Sequence, residues 1–258
     1  MLRHGSLFSG IGGFDLASQW MGWENVFQVE KDGFCQRVLS KNYPEVKRYG
    51  DIKQFDGKKY KDSINILSGG FPCQDISYAK TWTTSDKFKT NGLMGERSGL
   101  WWEYHRIIKE ITPPWVVAEN VPALTNQGLG IVLQSLSDIG YDAEWAILPA
   151  SWLGAPHLRK RIWIVAYPVS IGRDEESLIF SKIIEQKIRQ TSQWEPSRTI
   201  CKINRKKNLP ESFGIPDGLP KGLHHAERIK SLGNSIVPQV AYQIFKAIEE
   251  FALSENKE

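Results

Sequence analysis

Residues 1–167 alternate short apolar runs with amphipathic stretches, and this alternation limits the possible folds of the 258-residue chain more than any other feature. Such alternation is typical of βαβ units, in which helices connect the parallel strands of one sheet. The chain is therefore predicted to form an α/β fold with a mostly parallel sheet. The predicted strands are Gly5–Ser9, Val26–Glu30, a weaker strand ending near Asp51, Ile64–Ser68, Trp115–Ala118, Ala143–Leu148 and Arg161–Tyr167. The predicted helices between them are Phe14–Met21, Phe34–Leu39, Leu100–Ile111 and Ile131–Ile139.

The composition of the chain changes after Pro168. Residues 170–225 mix charged residues with Ser, Pro and Gly, and only Leu178–Ile188 has the spacing of a helix. Near the C-terminus, apolar residues again recur at the spacing of one helical face: Val240, Ile244, Ala247, Ile248 and Phe251. We therefore expect a main domain at residues 1–167, an inserted unit at residues 168–228, and a C-terminal part at residues 229–258 whose helix returns to the main domain.

Basic residues slightly outnumber acidic ones, with 33 Lys and Arg against 29 Asp and Glu, and the excess lies in one segment. Residues 168–230 hold 12 basic and 8 acidic residues, including the run Arg205, Lys206 and Lys207, while the rest of the chain holds 21 of each. We expect this segment to contact an anionic partner.

Several classes of protein are disfavoured by the sequence. No stretch approaches the roughly 18 apolar residues of a transmembrane helix, and the first ten residues lack the apolar core of a signal peptide. Cys35, Cys73 and Cys201 are odd in number and widely separated, which argues against a disulfide framework and against a Cys-x-x-Cys metal site. We expect a cytoplasmic protein without a membrane anchor or a bound metal.

A glycine-rich turn follows the first predicted strand, in LFSGIGGFDLA at Leu7–Ala17. Glycines at this place let the backbone approach a ligand closely, and the N–H groups at the start of the next helix point at it. Glu30 ends the next strand 20 residues after Gly10, where dinucleotide-type folds place an acid that binds ribose hydroxyls. Asp51 is a candidate for contact with an adenine. The alternatives are an ordinary tight turn and a helix-capping Asp51.

Three further places combine reactive side chains with strand ends. A turn that contains two glycines and a proline separates Cys73 from the preceding predicted strand, which places Cys73 at the carboxyl edge of the sheet. Cys73 is either a nucleophile there or an inert buried thiol. Glu119 follows the next strand and is either a general acid or a helix cap. Arg159 and Arg161 flank Lys160, so in a strand their side chains lie on the same face. There they either bind one anion together or form a solvated basic start of the strand.

In this order, these motifs resemble those of the C5-cytosine DNA methyltransferases of bacterial and phage type. The matching segments are FSGIGGF at Phe8–Phe14, Glu30, GDI at Gly50–Ile52, GGFPCQ at Gly69–Gln74, RSGLWWE at Arg97–Glu103, ENV at Glu119–Val121, the two arginines, and GNSIVPQVA at Gly233–Ala241. The likeness covers about residues 7–167 and 226–253 and implies a Rossmann-like methyltransferase fold with a short inserted target-recognition unit.

The resemblance implies a role for each matched residue. The S-adenosyl-L-methionine pocket would be lined by Phe8, Gly10, Ile11, Gly12, Glu30, Asp51, Ile52, Pro72, Leu100, Asn234 and Ser235. Cys73 would be the nucleophile that attacks C6 of a flipped-out cytosine, and Glu119 would contact the edge of the ring. Arg159 and Arg161 would hold the target nucleotide, and residues 77–96 would form a loop that closes over double-stranded DNA. The implied protein is a monomer, with a cognate restriction endonuclease as a possible partner.

Two departures from the family pattern stand out. His157 occupies the place of the family's Gln in the Gln-x-Arg-x-Arg motif, although both arginines are present. The motif that usually precedes the final one is reduced to AERIKSLGN at Ala226–Asn234.

Other functions fit parts of the pattern. A related branch of the family methylates tRNA, and a non-catalytic DNA-binding protein could keep the fold. A nicotinamide dehydrogenase would share the glycine turn and Glu30 but would not need the PCQ and ENV motifs. The sequence of the methylated site is not encoded in any motif of the chain, because base contacts depend on the fold of residues 168–228.

Overall fold

The computed structural model describes residues 1–72, 99–153, 155, 157–171, 178–189 and 231–255. Within these ranges, no helix is long and apolar enough to cross a membrane. Cys73, the 77–96 segment and the run at residues 205–207 lie outside the described residues.

One seven-stranded sheet with the order β3-β2-β1-β4-β5-β7-β6 forms the centre of the molecule. Its strands are β1 Arg3–Leu7, β2 Glu24–Val29, β3 Lys47–Tyr49, β4 Ile66–Gly70, β5 Trp115–Asn120, β6 Tyr141–Pro149 and β7 Lys160–Pro168. The α-helices are α1 Gly13–Trp20, α2 Gly33–Asn42, α3 Leu100–Ile111, α4 Leu124–Gln127, α5 Leu129–Ser137, α6 Ile179–Arg189 and α7 Pro238–Glu255. The five strands from β3 to β5 are parallel, whereas β7 pairs antiparallel with both β5 and β6. The predicted α/β class is therefore confirmed.

Helices cover both faces of the sheet. One apolar core joins β4 and β5 to α3, α4 and α5, with Trp101 and Tyr104 of α3 fully buried. The second core lies on the opposite face, where α1 and α7 pack on the sheet around Phe14 and Phe245. The central strands are apolar on both faces because both faces are covered, as is usual for parallel sheets.

The C-terminal helix α7 belongs to this second core. Its predicted apolar residues, from Val240 to Phe251, are all less than 10% exposed. The Trp23 indole Nε1 donates a hydrogen bond of 2.8 Å to Glu249 Oε1, which fastens α7 to the segment that enters β2.

The observed strands differ from the predicted ones by one to two residues at most ends, and two of these differences have a local structural reason. The first strand ends at Leu7 because Phe8 adopts a left-handed backbone conformation with φ 50°. The strand predicted at Trp115–Ala118 extends to Asn120 because Glu119 and Asn120 pair with Trp163 and Ile162 of β7.

Candidate active site

A tight turn follows β1 at the topological switch point between β1 and β4, where open α/β sheets bind ligands. Gly10 and Gly12 both have positive φ, at 56° and 88°, which favours glycine at each position. A Cβ atom at Gly12 would lie 2.7 Å from the Tyr43 ring, whereas one at Gly10 would meet only the Phe8 carbonyl, at 4.0 Å. The turn is therefore packed behind Gly12 and leaves open space at Gly10.

The carboxylate of Glu30 lies against this turn. Its Oε2 accepts a hydrogen bond of 2.7 Å from Gly10 N–H, and its Oε1 accepts one of 2.7 Å from Asp32 N–H. Gln36 Nε2 donates to the Glu30 carbonyl at 2.6 Å. Burial raises the pKa of Glu30, although the backbone N–H groups of Asp32, Gly10 and Lys31 oppose this shift. Each carboxylate oxygen retains a lone pair, which can accept a hydroxyl donor of a ligand.

Asp51 begins a short 3₁₀ helix and is the N-cap that the alternative interpretation expected. Its Oδ1 accepts from Lys53 N–H at 3.0 Å, and its Oδ2 lies 2.8 Å from Lys31 Nζ. The hydrogen bond from Lys31 lowers the pKa of this carboxyl group. Ile52 is only 4% exposed, and its carbonyl accepts from Arg106 Nη2 at 2.9 Å.

A buried ion pair lies where β4 and β5 end. Glu119 pairs in register with Gly70, and a Cβ atom at Gly70 would lie 2.9 Å from Glu119 Oε2, so a side chain at this position would displace the carboxylate. Arg161 Nε contacts Glu119 Oε1 at 2.9 Å. Burial raises the pKa of Glu119 to about 7, against the opposing charges of Arg161 and Arg159. The alternative of a helix cap does not hold, because Glu119 lies within a strand.

Arg159 has different partners from Arg161. It precedes β7 with φ 27°, so the strand alternation that would place both side chains on one face does not extend to it. Its Nη2 donates to the carbonyl of Gly233 at 3.1 Å and also to the carbonyl of Ser235. Its Nε is buried without a hydrogen-bond partner among the described residues. The two guanidiniums therefore have different hydrogen-bond partners, although the charges of both act on the Glu119 carboxyl group.

The segment before α7 packs onto the glycine turn. A Cβ atom at Gly13 would lie 2.6 Å from the side chain of Ile236, and one at Gly70 would lie 3.9 Å from it. Asn234 and Ser235, which precede Ile236 in the chain, therefore lie near the start of α1 and the end of β4. Asn234 is exposed and Ser235 is half-buried.

The backbone that leads to Cys73 is held in place by a residue to which the sequence pattern gave no role. Asn120 Nδ2 donates a hydrogen bond of 3.1 Å to the carbonyl of Phe71. The Phe71 ring is buried and contacts the Trp101 ring at 5.0 Å between centroids. The only sequence signal for this contact is the position of Asn120 beside Glu119 in the ENV motif.

The remaining pocket candidates lie around the same edge. The Phe8 ring lies 6.3 Å from the Tyr104 ring between centroids, and Leu100 begins α3. Ile11 packs on the apolar face of α2, and Pro72 is half-buried after β4. The described residues thus form one connected set from the glycine turn through Ile236 to Gly70 and Glu119.

The strand order, the turn at the switch point and the antiparallel β7 together define a Rossmann-like methyltransferase fold. The model of the C-5 cytosine-specific DNA methylase family matches residues 2–214. The chain belongs to this family.

Curated relatives cover the chain in part. Type II methyltransferase M.Eco47II of Escherichia coli is 36% identical over 166 residues, which are 62% of this chain and 38% of that protein. Type II methyltransferase M.HpaII of Haemophilus parainfluenzae is 31% identical over 223 residues, 81% of this chain and 60% of that protein. The matched part of the chain thus spans between about two fifths and three fifths of the length of these relatives.

Solved structures share the fold. A structure of the methyltransferase EhMeth of Entamoeba histolytica has a TM-score of 0.65 at 16% identity, and the match covers 100% of this chain and 99% of that one. A putative DNA modification methyltransferase from an Escherichia coli prophage has a TM-score of 0.54 at 23% identity, covering 67% and 49% of the two chains.

Proposed function

We propose that the protein is a DNA (cytosine-5-)-methyltransferase that transfers a methyl group from S-adenosyl-L-methionine to C5 of cytosine in double-stranded DNA. The observation that carries this proposal is the buried Glu119 carboxyl group, fixed by Arg161 beside the end of β4. The chain continues from that end through Phe71 and Pro72 to Cys73.

The residues at the glycine turn fit the proposed cofactor. The open space at Gly10 leaves room for a ribose, and each oxygen of the buried Glu30 carboxylate can accept a further hydrogen bond from a ribose hydroxyl. Asp51, Ile52 and Leu100 would surround the adenine, while Asn234 and Ser235 lie beside the turn through Ile236. When bound, the cofactor supplies an electrophilic methyl group. The protein supplies the orientation, because Glu30 and the turn are fixed to each other by hydrogen bonds.

Glu119 has the chemistry required to activate a cytosine ring. A pKa of about 7 means that about half of these carboxyl groups carry a proton at neutral pH. The protonated form donates a hydrogen bond to the ring nitrogen N3 and stabilises the charge that develops there. Arg161 holds one carboxyl oxygen, so the other remains available to the ring.

Cys73 would act as the covalent nucleophile. Its thiolate would add to C6 of the ring and make C5 nucleophilic. C5 would then accept the methyl group as the bond from that group to the sulfonium sulfur of the cofactor breaks, which leaves a neutral thioether. A base removes the proton from C5, the S–C6 bond breaks, and the thiolate and the aromatic ring are regenerated. The hydrogen bond from Asn120 to the Phe71 carbonyl supports this role, because it fixes the backbone two residues before the thiol.

The DNA would be bound by the parts of the chain around this edge. A base in a duplex cannot reach a buried carboxyl group, so the target must be flipped out at a cost of a few kcal/mol. We assign target recognition to residues 168–228 and closure over the DNA to residues 77–96, on their sequence positions and composition. We also propose that the protein acts as a monomer in the cytoplasm and that a cognate restriction endonuclease is its partner; the relatives M.Eco47II and M.HpaII are named type II methyltransferases.

The test is incubation of the purified protein with duplex DNA and methyl-labelled S-adenosyl-L-methionine, followed by mass spectrometry of the nucleosides. We expect 5-methylcytosine from the wild-type protein and none from Cys73→Ala. A parallel reaction with tRNA separates the RNA alternative, since label in tRNA alone would contradict the proposed substrate.

Duplex DNA containing 5-fluorocytosine provides a second measurement. In the presence of S-adenosyl-L-methionine, C5 accepts the methyl group, but the fluorine at C5 cannot then be removed as a proton is. A working Cys73 therefore remains covalently attached to the DNA. Absence of a covalent complex with the wild-type protein on DNA that it binds would identify it as a non-catalytic homologue.

A further inference from the structure

The connection between β3 and β4 carries residues proposed to surround the adenine. Residues 50–65, all of which the structure describes, form two short 3₁₀ helices, Ile52–Gln54 and Lys58–Tyr60, and no α-helix. Asp51 is the N-cap of the first of them. Hydrogen bonds in a 3₁₀ helix are less well aligned than those in an α-helix. The position of Asp51 and Ile52 therefore depends on contacts from the rest of the protein.

The first 3₁₀ helix begins at the carboxyl edge of the sheet. Glu30 N–H donates a hydrogen bond of 3.0 Å to the Tyr49 carbonyl, which joins the end of β2 to the end of β3. Asp51 follows two residues later and pairs with Lys31 at 2.8 Å. Because the Glu30 carboxylate also accepts from Gly10 N–H, Asp51 lies on the same side of the molecule as the glycine turn.

Arg106, in the middle of α3, donates hydrogen bonds to both ends of the first 3₁₀ helix. Its Nη2 donates to the Ile52 carbonyl at 2.9 Å, and its Nη1 donates to the Phe55 carbonyl at 3.1 Å. Ile52 is the first residue of this helix and Phe55 is its C-cap. The guanidinium group is a rigid planar fork, so its bonds to two carbonyl groups fix direction as well as distance.

Two carboxylates hold Arg106 in this orientation. Glu103 Oε2 contacts its Nε at 2.9 Å, and Glu110 Oε1 contacts its Nη1 at 2.7 Å. Glu110 Oε2 also accepts a hydrogen bond of 2.8 Å from Gly57 N–H. A Cβ atom at Gly57 would lie 2.9 Å from the same oxygen, so a side chain there would displace the carboxylate. Helix α3 thus binds the connection at three backbone groups through one connected set of charges.

Stability alone does not require this cluster of charges. Ile52 and Phe55 are buried in the first core, and the Phe55 ring contacts the Phe27 and Tyr49 rings at 5.0 and 4.8 Å between centroids. Such apolar packing already attaches the connection to the sheet. Ion pairs contribute little net stability, because the cost of desolvation opposes their attraction. What the cluster adds is a defined orientation of the backbone, which residues that bind a ligand need.

We infer that Arg106 is a positioning residue for the adenine of the cofactor, and that it acts by holding Asp51 and Ile52 in place at the carboxyl edge. The inference rests on the proposed cofactor and on its proposed contact with Asp51. An ionised carboxylate only accepts hydrogen bonds. A correctly placed Asp51 therefore favours the 6-amino group of adenine, which donates, over the 6-carbonyl group of hypoxanthine, which only accepts.

The test compares the binding of S-adenosyl-L-homocysteine and S-inosyl-L-homocysteine, which differ in that group, by titration calorimetry of the whole chain. We expect the wild type to bind the adenosyl ligand about 10-fold more tightly or better, the effect of one hydrogen bond to a charged group. In Arg106→Met this preference should fall to about 2-fold or less, because the carboxylate is no longer held in place. Arg106→Lys keeps the charge and can still donate to a carbonyl group, so its preference should lie between these values.

Arg3→Met is the matched control. Arg3 Nη1 donates to the Ser63 carbonyl at 2.9 Å, in the same connection but at the opposite edge of the sheet, and its Nε pairs with Glu24 at 3.1 Å. The control variant therefore also loses a carbonyl contact and an ion pair, but it should keep the wild-type preference. Because the preference is a ratio of two affinities, a reduced fraction of competent protein cancels from it.

Retention of the wild-type preference in both Arg106 variants would overturn the inference, and so would an equal loss of preference in Arg3→Met. If Arg106→Met does not fold, the preference of Arg106→Lys provides the test. A wild type that binds both ligands equally would overturn the inference while leaving the use of the cofactor intact. Failure of the proposed function looks different, because a wild type that binds neither ligand would contradict the proposed cofactor and the inference with it.

Discussion

The stability of the protein should depend on pH through Glu119. In the folded state burial raises the pKa of this carboxyl group to about 7, from an ordinary value of 4.5. A raised pKa means that the folded state holds the proton more tightly than the unfolded state, so stability is greatest at low pH and is lost as the pH rises towards 7. Glu119→Gln replaces the titrating carboxyl group by a neutral amide of the same shape, which can still accept from Arg161.

The size of the effect follows from these two pKa values. Linkage between protonation and folding predicts that the wild type loses about 2.5 kcal/mol of stability through Glu119 as the pH rises from about 5 to about 8. The free energy of unfolding of Glu119→Gln, measured relative to that of the wild type, should therefore rise by the same amount. Asp15 and His4 are also buried with shifted pKa values, but they are present in both proteins and cancel in the difference.

Urea unfolding of both proteins at the two pH values measures this difference directly. Glu24→Gln is the control, because Glu24 forms an exposed pair with Arg3 and such pairs contribute little. A difference between wild type and Glu119→Gln that stays constant with pH, or that changes in the opposite direction, would refute the assignment of a buried carboxyl group with a raised pKa. Methylation by the same variant should be about 10²- to 10⁴-fold slower, because the proton that activates the ring is lost.

Three further outcomes are expected. Gly12→Ala should destabilise the protein by about 3 kcal/mol and weaken cofactor binding, because the new Cβ atom combines a positive φ with a clash against the Tyr43 ring. Gly22 also has a positive φ but has open space around it, so Gly22→Ala should lower the free energy of unfolding by only about 1 kcal/mol; calorimetry measures both values. Asn120→Ala should slow methylation while leaving cofactor affinity in titration calorimetry unchanged; a loss confined to cofactor affinity would contradict its role in placing the nucleophile. Neutralising the run at residues 205–207 should flatten the salt dependence of DNA binding without affecting cofactor binding, and an unchanged slope would place the DNA contacts elsewhere.

The parts of the fold that were predictable from sequence depend on regular spacing. Alternation of strands and helices indicated the sheet, and the interval from Gly10 to Glu30 indicated an acid at the end of the strand after the glycine turn. The hydrogen bond of 2.7 Å from Gly10 N–H to Glu30 was found only in the structure. The C-terminal helix was predictable because a buried helical face leaves a periodic apolar pattern. Each of these features repeats over many residues or follows from the geometry of a βαβ unit.

The features that could not be predicted depend on single backbone angles or on distant partners. The positive φ of Arg159 turns its side chain towards Gly233 and Ser235, and no local pattern indicates that conformation. The antiparallel pairing of β7 extends β5 and places Glu119 inside a strand.

The packing of α7 has a consequence for how the protein is made. The bond between Trp23 and Glu249 joins residues 226 positions apart, and Ile236 completes the packing of the glycine turn at Gly13. During synthesis, the first βα unit therefore leaves the ribosome long before the helix that covers it. That face of the sheet stays open to solvent throughout translation of the intervening residues, a period in which exposed apolar surface is prone to aggregation. The cofactor turn reaches its final packing only when α7 has emerged, so a ribosome-bound chain that lacks α7 should bind no cofactor.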